Sequence, residues 1–257
     1  MNMKKLLKSI GMCIGLFITS SLIGGVVSLI FATFIGDSNE FSKYLYVMIF
    51  ISDILTLILV HFILLNYDKK LLSKTTFKKI QATDVINIIL LGVGISVIVS
   101  ILTAILQILI PSYTNVQDQL MTAHNSVFQL VIVILLIPIY EEILFRYVIF
   151  GYLKENYNIV YAVIGQALVF GFFHLNIVQG IYTFLLGIAL ALVYMYSESL
   201  IGSIILHIVF NLFGILIIPT LAASSPVMQY IVIIFGIVSL VISILKILKK
   251  YEYALYK

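Results

Sequence analysis

The sequence predicts an all-α, polytopic membrane protein of about eight transmembrane helices with both termini in the cytoplasm. Three observations carry that expectation. Of 257 residues, 62% are hydrophobic and only 10% are charged, where a soluble domain has roughly 25% charged. The mean hydropathy is +1.19. Apolar runs near the ~20-residue length of a membrane-spanning helix recur along the chain, separated by short polar connections.

The first run covers about 9–35, after "MNMKKLLK". It has the basic start of a signal peptide but exceeds the ~7–15 apolar residues of one and has no A-x-A site, so it reads as a retained span. Further runs cover about 44–66, 84–110, 127–150, 159–175, 179–197, 200–219 and 227–248. No internal repeat, low-complexity tract or soluble domain interrupts them, so residues 1–257 form one integral membrane domain. With the N-terminus inside, the cytoplasmic side collects Lys4, Lys5, Lys8, Lys69, Lys70, Lys74, Lys78, Lys79, Lys154, Lys246, Lys249, Lys250 and Lys257. The outer side keeps Lys43. That split follows the positive-inside rule and requires an even number of spans. The net charge of +4 reflects these loop lysines and not a nucleic-acid partner. The loop from Lys69 to Lys79 is expected to contact anionic membrane lipid. The single cysteine, Cys13, allows no internal disulfide and says nothing of redox compartment.

Charged groups inside a bilayer are costly and call for a reason. Residues 140–146, "YEEILFR", place two carboxylates and the chain's one arginine inside an apolar run. Glu142 and Arg146 are i,i+4 neighbours on one helix face. Glu141 is rotated ~100° from Glu142 and has no partner on its own helix. Such a carboxylate is suited to take up and release protons. Pro138, upstream, removes a backbone hydrogen bond and predicts a kink that opens a polar pocket. The competing reading is a structural Glu–Arg clamp with a spare glutamate.

His174, in "VFGFFHLN", and His207, in "GSIILHIVFN", lie in later apolar runs. His207 and Asn211 are i,i+4, so one helix face offers an imidazole and an amide. Phe170 sits one turn before His174 and is expected to pack beneath it. A free carboxylate, two imidazoles and an amide make a minimal hydrolytic set. Asp53 and His61, about two turns apart in the second run, read as packing or hydration residues. His124 and Asn125 read as solvated loop residues, and Glu198 as a short-loop charge.

Several hydrolytic systems are missing. No H-E-x-x-H zinc pair, no G-x-G-D and no G-x-S-G occurs. Ser203 and His207 are i,i+4, but nothing else marks Ser203 as a nucleophile. A carboxylate-activated water remains, or a metal site made of Glu141, His174 and His207, since two histidines and a carboxylate suit zinc with one open position.

"EEILFR" fits EExxxR, "FGFFH" contains FxxxH, and "HIVFN" fits HxxxN. In this order on successive membrane helices, from about Ser126 to Pro219, they resemble the CPBP family. That family comprises the type II CAAX prenyl proteases and the bacteriocin-processing or bacteriocin-immunity (Abi) proteins. The resemblance implies an intramembrane endopeptidase whose protease core covers about 126–219. It further implies that Glu141, helped by His174, activates the attacking water. His207 and Asn211 would polarise the scissile carbonyl, and Glu142 and Arg146 would hold the site together. This glutamate mechanism needs no metal; zinc remains compatible with the residues.

Two other functions compete: a non-catalytic membrane protein for bacteriocin immunity or partner regulation, and an ion or proton transporter. The transporter reading lacks paired or broken-helix halves. A composition rich in Ile, Lys and Asn, without tryptophan, points to a bacterial plasma membrane. Substrates are then expected among small peptides, such as bacteriocin or pheromone precursors, or membrane-proximal segments entering a pocket open to the cytoplasm. Counting ~1.5 Å per residue, Glu141 lies ~14 Å from the inner end of its run, His207 ~10 Å and His174 ~22 Å. The mismatch predicts that the helix carrying His174 starts beyond the membrane boundary.

Overall fold

The computed structural model describes residues 3–35, 41–66, 71 and 76–255. These residues form nine helices and no strand. Helix α1 spans Met3–Ile35, α2 Leu45–Leu65, α3 Ala82–Leu109 and α4 Tyr113–Met121. Helix α5 spans Val127–Asn156, α6 Ile159–Phe173, α7 Ile177–Ser197, α8 Leu200–Ser224 and α9 Pro226–Leu255. Seven of them are long and apolar enough to cross a membrane, and α6, with 15 residues, is a shorter apolar helix. At 1.5 Å per residue α6 reaches ~22 Å, less than the ~30 Å hydrocarbon core. The eight expected spans are therefore seven long helices and one short one in an integral membrane protein. Lys69, Lys70 and Lys74, in the loop expected to contact lipid, lie outside the described residues.

Turns of one to three residues join α5 to α9 successively, so these helices alternate in direction. Asn158 caps α6, its Oδ1 accepting from Tyr161 N at 3.0 Å. Asn176 caps α7 in the same way, from Gln179 N at 3.1 Å. Between His174 and Asn176, Leu175 turns the chain in the left-handed region (φ 54°). These Asn caps satisfy helix-end amides that lipid cannot.

The depth mismatch disappears at the α5–α6 turn. Helix α5 continues past the expected edge at 150 to Asn156. Glu141 stands fifteen residues before Asn156, and His174 fifteen after Ile159. Both are thus equally far from one turn and meet at one level. His207 is only seven residues into α8 because the α7–α8 turn is itself recessed. The segment at 76–80 packs over that turn. Leu200 N donates to Thr76 O at 2.9 Å, Ser199 Oγ to Lys78 O at 2.7 Å, and Lys78 pairs with Glu198 at 2.9 Å.

Small residues bring the helices close, as is usual where lipid supplies no hydrophobic driving force between them. A Cβ on Gly94 of α3 would lie 2.8 Å from the Leu240 Cα of α9. On the same seam Asn87 Nδ2 donates to Ser243 O at 3.4 Å, and Ser243 Oγ to Asn87 O at 3.0 Å. Helices α6 and α7 are closer still: a Cβ on Gly171 would meet Gly180 O at 2.6 Å. Gln166 Nε2 crosses that seam to Gly187 O at 2.8 Å.

Gly171→Ala is expected to push α6 from α7 and to lower stability by about 1–3 kcal/mol through overpacking. Gly151→Ala, where a Cβ has nothing within 4 Å, should be neutral or slightly stabilising. Thermal unfolding of both purified variants in one detergent checks the pair, and equal midpoints would refute the close-packing account.

Candidate active site

The local backbone of α5 prepares the site. Its α-helical piece Ile137–Glu142 is flanked by π-helical turns, Ile132–Leu136 and Ile143–Phe150. Ile137 N–H bonds Ile132 O, five residues back. In that register the Val133 carbonyl would next receive the amide of residue 138, which is proline and has no N–H. Asn211 Nδ2 of α8 supplies the missing donor at 2.9 Å. The expected irregularity at Pro138 therefore takes the form of a π-turn, a device common at functional sites, with its open carbonyl sealed from another helix.

One turn on, Glu142 and Arg146 are both fully buried. Arg146 Nε lies 3.1 Å from Glu142 Oε2, an ion pair whose angles fall short of a hydrogen bond. The guanidinium carbon stacks 4.6 Å from the Phe170 ring centroid, a cation–π contact in a dry setting. Glu142 Oε1 takes a second partner, His207 Nδ1 of α8, at 2.8 Å. An ionised carboxylate only accepts, so Nδ1 carries the shared proton. Ser203 Oγ donates to its own helix at Leu200 O, 3.1 Å away, and nothing marks it as a nucleophile.

Glu141 is not held by Arg146 and is 16% exposed, where Glu142 is not exposed at all. Its Oε2 lies 3.4 Å from His207 Nε2, and its Oε1 lies 4.0 Å from His174 Nε2. His174 Nδ1 bonds Phe170 O at 2.9 Å. A carbonyl accepts, so this Nδ1 also bears hydrogen and leaves the His174 Nε2 lone pair facing Glu141. Phe170 meets both imidazoles edge to face, at 5.1 Å and 5.9 Å between centroids.

Thus Glu141, Glu142, Arg146, Phe170, His174, His207 and Asn211 converge from α5, α6 and α8. Glu141, His174, His207 and Asn211 line one cavity of about 580 Å³. Two placements differ from expectation. The cavity extends to Gln107 at the end of α3 and to Gln117 and Met121 of α4. It runs toward the α4 end of the bundle and not toward the lysine-rich end. Asp53, read as a packing or hydration residue, lines this cavity from α2. No local pattern in the sequence links it to residues almost ninety positions away; its intramembrane charge was the only signal. His61 does not join it, and its ring rests near that of Phe62. His124 is exposed as expected but also bonds Ile215 O at 2.8 Å. Among the described residues Glu141, His174 and His207 are not gathered into a group that could hold a metal ion.

Asn211→Leu should leave the Val133 carbonyl without its donor and cost about 1–3 kcal/mol. Adding Pro138→Ala restores a backbone N–H and should recover part of that loss. Melting temperatures of the two single variants and the double variant test this, and a double variant no better than additive would refute it.

With this geometry in hand, the comparisons are specific. Residues 123–213 match the family model described as type II CAAX prenyl endopeptidase Rce1-like. No curated protein matches the chain, and no solved structure does.

Proposed function

Residues 123–213 are an Rce1-like domain of the CPBP family, and from that premise we propose that the protein is an intramembrane endopeptidase acting through a glutamate-activated water. The family is generally one of membrane proteases. The observation that carries the reading is the freedom of Glu141: one residue from a fully buried ion pair, it faces two imidazole Nε2 atoms in a cavity.

The chemistry follows from donors and acceptors. Glu141 and His174 Nε2 both present lone pairs, so one water can donate to both and aim its own lone pair at a carbonyl carbon. On attack, the water's proton passes to Glu141 as the C–O bond forms. The developing oxyanion needs hydrogen-bond donors. Asn211 Nδ2 has two hydrogens, one on Val133 O, and can offer the second. His207, held at Nδ1 by Glu142, can offer Nε2–H in its doubly protonated form. As the C–N bond breaks, Glu141 returns its proton to the leaving amine, and an acid and an amine result.

The substrate is proposed to be a small peptide precursor or a membrane-proximal segment. With the lysine-rich end in the cytoplasm, the cavity reaches toward the opposite face, so the cleaved bond approaches from the α4 side. A bacterial plasma membrane is the proposed location.

Glu141→Gln keeps shape and removes the proton acceptor. It should lower cleavage of a fluorogenic peptide library by roughly 10²–10⁴-fold in detergent-purified, monodisperse protein. Cleavage that persists at the wild-type rate would overturn the mechanism. A zinc chelator in a parallel assay reports metal dependence. Access is checked by labelling: in a Cys13→Ser background, Gln117→Cys and Lys154→Cys should react with an impermeant maleimide from opposite faces of oriented vesicles. Labelling from the same face would refute the α4-side approach.

A further inference from the structure

The cavity holds a second carboxylate that this mechanism does not use. Asp53 Oδ2 is buried and has no hydrogen-bond partner among the described residues, yet Asp53 lines the same cavity as Glu141, from α2. The chain's one arginine is committed to Glu142. Among the described residues lining the cavity there is no lysine or arginine. A carboxylate oxygen buried without a donor is expensive, and within a membrane carboxylates mark binding or transport paths. The rest of the wall offers hydroxyls and amides, among them Ser100, Thr103 and Gln179. Ser100 Oγ is already turned to Ser96 O at 2.8 Å. What Asp53 Oδ2 lacks is a donor.

We infer that Asp53 is a specificity-determining residue that receives a cationic group of the substrate peptide, a Lys or Arg side chain or a free α-amine, beside the reacting bond. The inference rests on the endopeptidase reading and adds the chemical class of substrate. A charge-assisted hydrogen bond inside a water-poor cavity is stronger than one at a surface. A neutral peptide of the same length would leave Asp53 unpaired and bind less tightly. Glu141 stays free for the water because the incoming cation has its own counter-ion.

The test uses the full-length protein and a peptide library of fixed length. One position at a time is Lys, Arg or norleucine, and the N-terminus is free or acetylated. Wild type is expected to prefer the cationic peptides by about tenfold or more in kcat/KM. Asp53→Asn should erase that preference, read within each protein as the ratio of kcat/KM for cationic over norleucine peptides, and Asp53→Glu should retain it. If the acetylated Lys and Arg peptides keep the advantage, the side chain is the ligand; if acetylation removes it, the α-amine is. An equal preference in wild type and Asp53→Asn overturns the assignment.

Binding is measured separately on Glu141→Gln protein with the same peptides, with and without Asp53→Asn. If wild type cleaves nothing but Asp53 still governs binding of cationic peptides, the endopeptidase reading fails and the assignment stands. If binding ignores charge, the assignment fails whatever the cleavage result. Where Asp53→Asn does not yield monodisperse protein, Asp53→Glu against wild type in the binding arm decides: equal charge selectivity supports the assignment, and no selectivity in either overturns it.

Discussion

The site depends on a carboxylate, a guanidinium and an imidazole that have been taken out of water together. Glu142 and Arg146 are fully buried, and the His207 side chain is 3% exposed. Each charge alone would cost several kcal/mol to bury, and their attraction offsets that only with good geometry and hydrogen bonds. Glu142 sets one oxygen 3.1 Å from Arg146 Nε as an ion pair and takes a hydrogen bond from His207 Nδ1 on the other at 2.8 Å. The cluster therefore ties α5 to α8 at a fixed rotation. With Glu142 pinned inward, its neighbour Glu141, ~100° around the helix, is turned to the cavity. A single buried pair thus decides which of two adjacent, chemically identical side chains is free.

A second constraint is backbone satisfaction without water. A π-turn ending in proline leaves a carbonyl open, and lipid can supply no donor for it. Asn211 closes that carbonyl and by doing so is held at the cavity wall, one turn from His207. The same economy recurs in the hydroxyls. Ser52 and Thr56 bond carbonyls one turn back, at 2.7 and 2.8 Å, and Ser96 does likewise at 2.7 Å. Asp53 differs from these hydroxyls: its Oδ2 is buried without a hydrogen-bond partner among the described residues, at the wall of the cavity.

Much of this was legible in residue spacing. The i,i+4 relation gave the Glu142–Arg146 pair and left Glu141 over; the same spacing put Phe170 under His174. The π-turns were not legible, because an unbroken apolar run carries no polar stripe from which to read its period. The end of α5 was missed because residues 151–156, "GYLKEN", look like a loop by composition yet continue the helix. The direction of the cavity was misjudged for a different reason. Lysines report which end of a bundle stays in the cytoplasm, and a cavity widens wherever helices splay. Here the cavity runs toward α4, where Tyr113, Gln117, Leu120 and Met121 line it.

The two histidines look equivalent in sequence and are not equivalent in place. His174 gives its Nδ1 hydrogen to a neutral carbonyl, Phe170 O, which orients the ring. His207 gives its Nδ1 hydrogen to a carboxylate, Glu142 Oε1. Both rings therefore turn Nε2 toward Glu141, at 4.0 Å for His174 and 3.4 Å for His207. The fold distinguishes the two rings by what stands behind each, a backbone oxygen in one case and half of an ion pair in the other. Arg146 bears on the site through this route: it faces Glu142, Glu142 holds His207 by Nδ1, and Glu141 is left as the carboxylate beside both imidazoles.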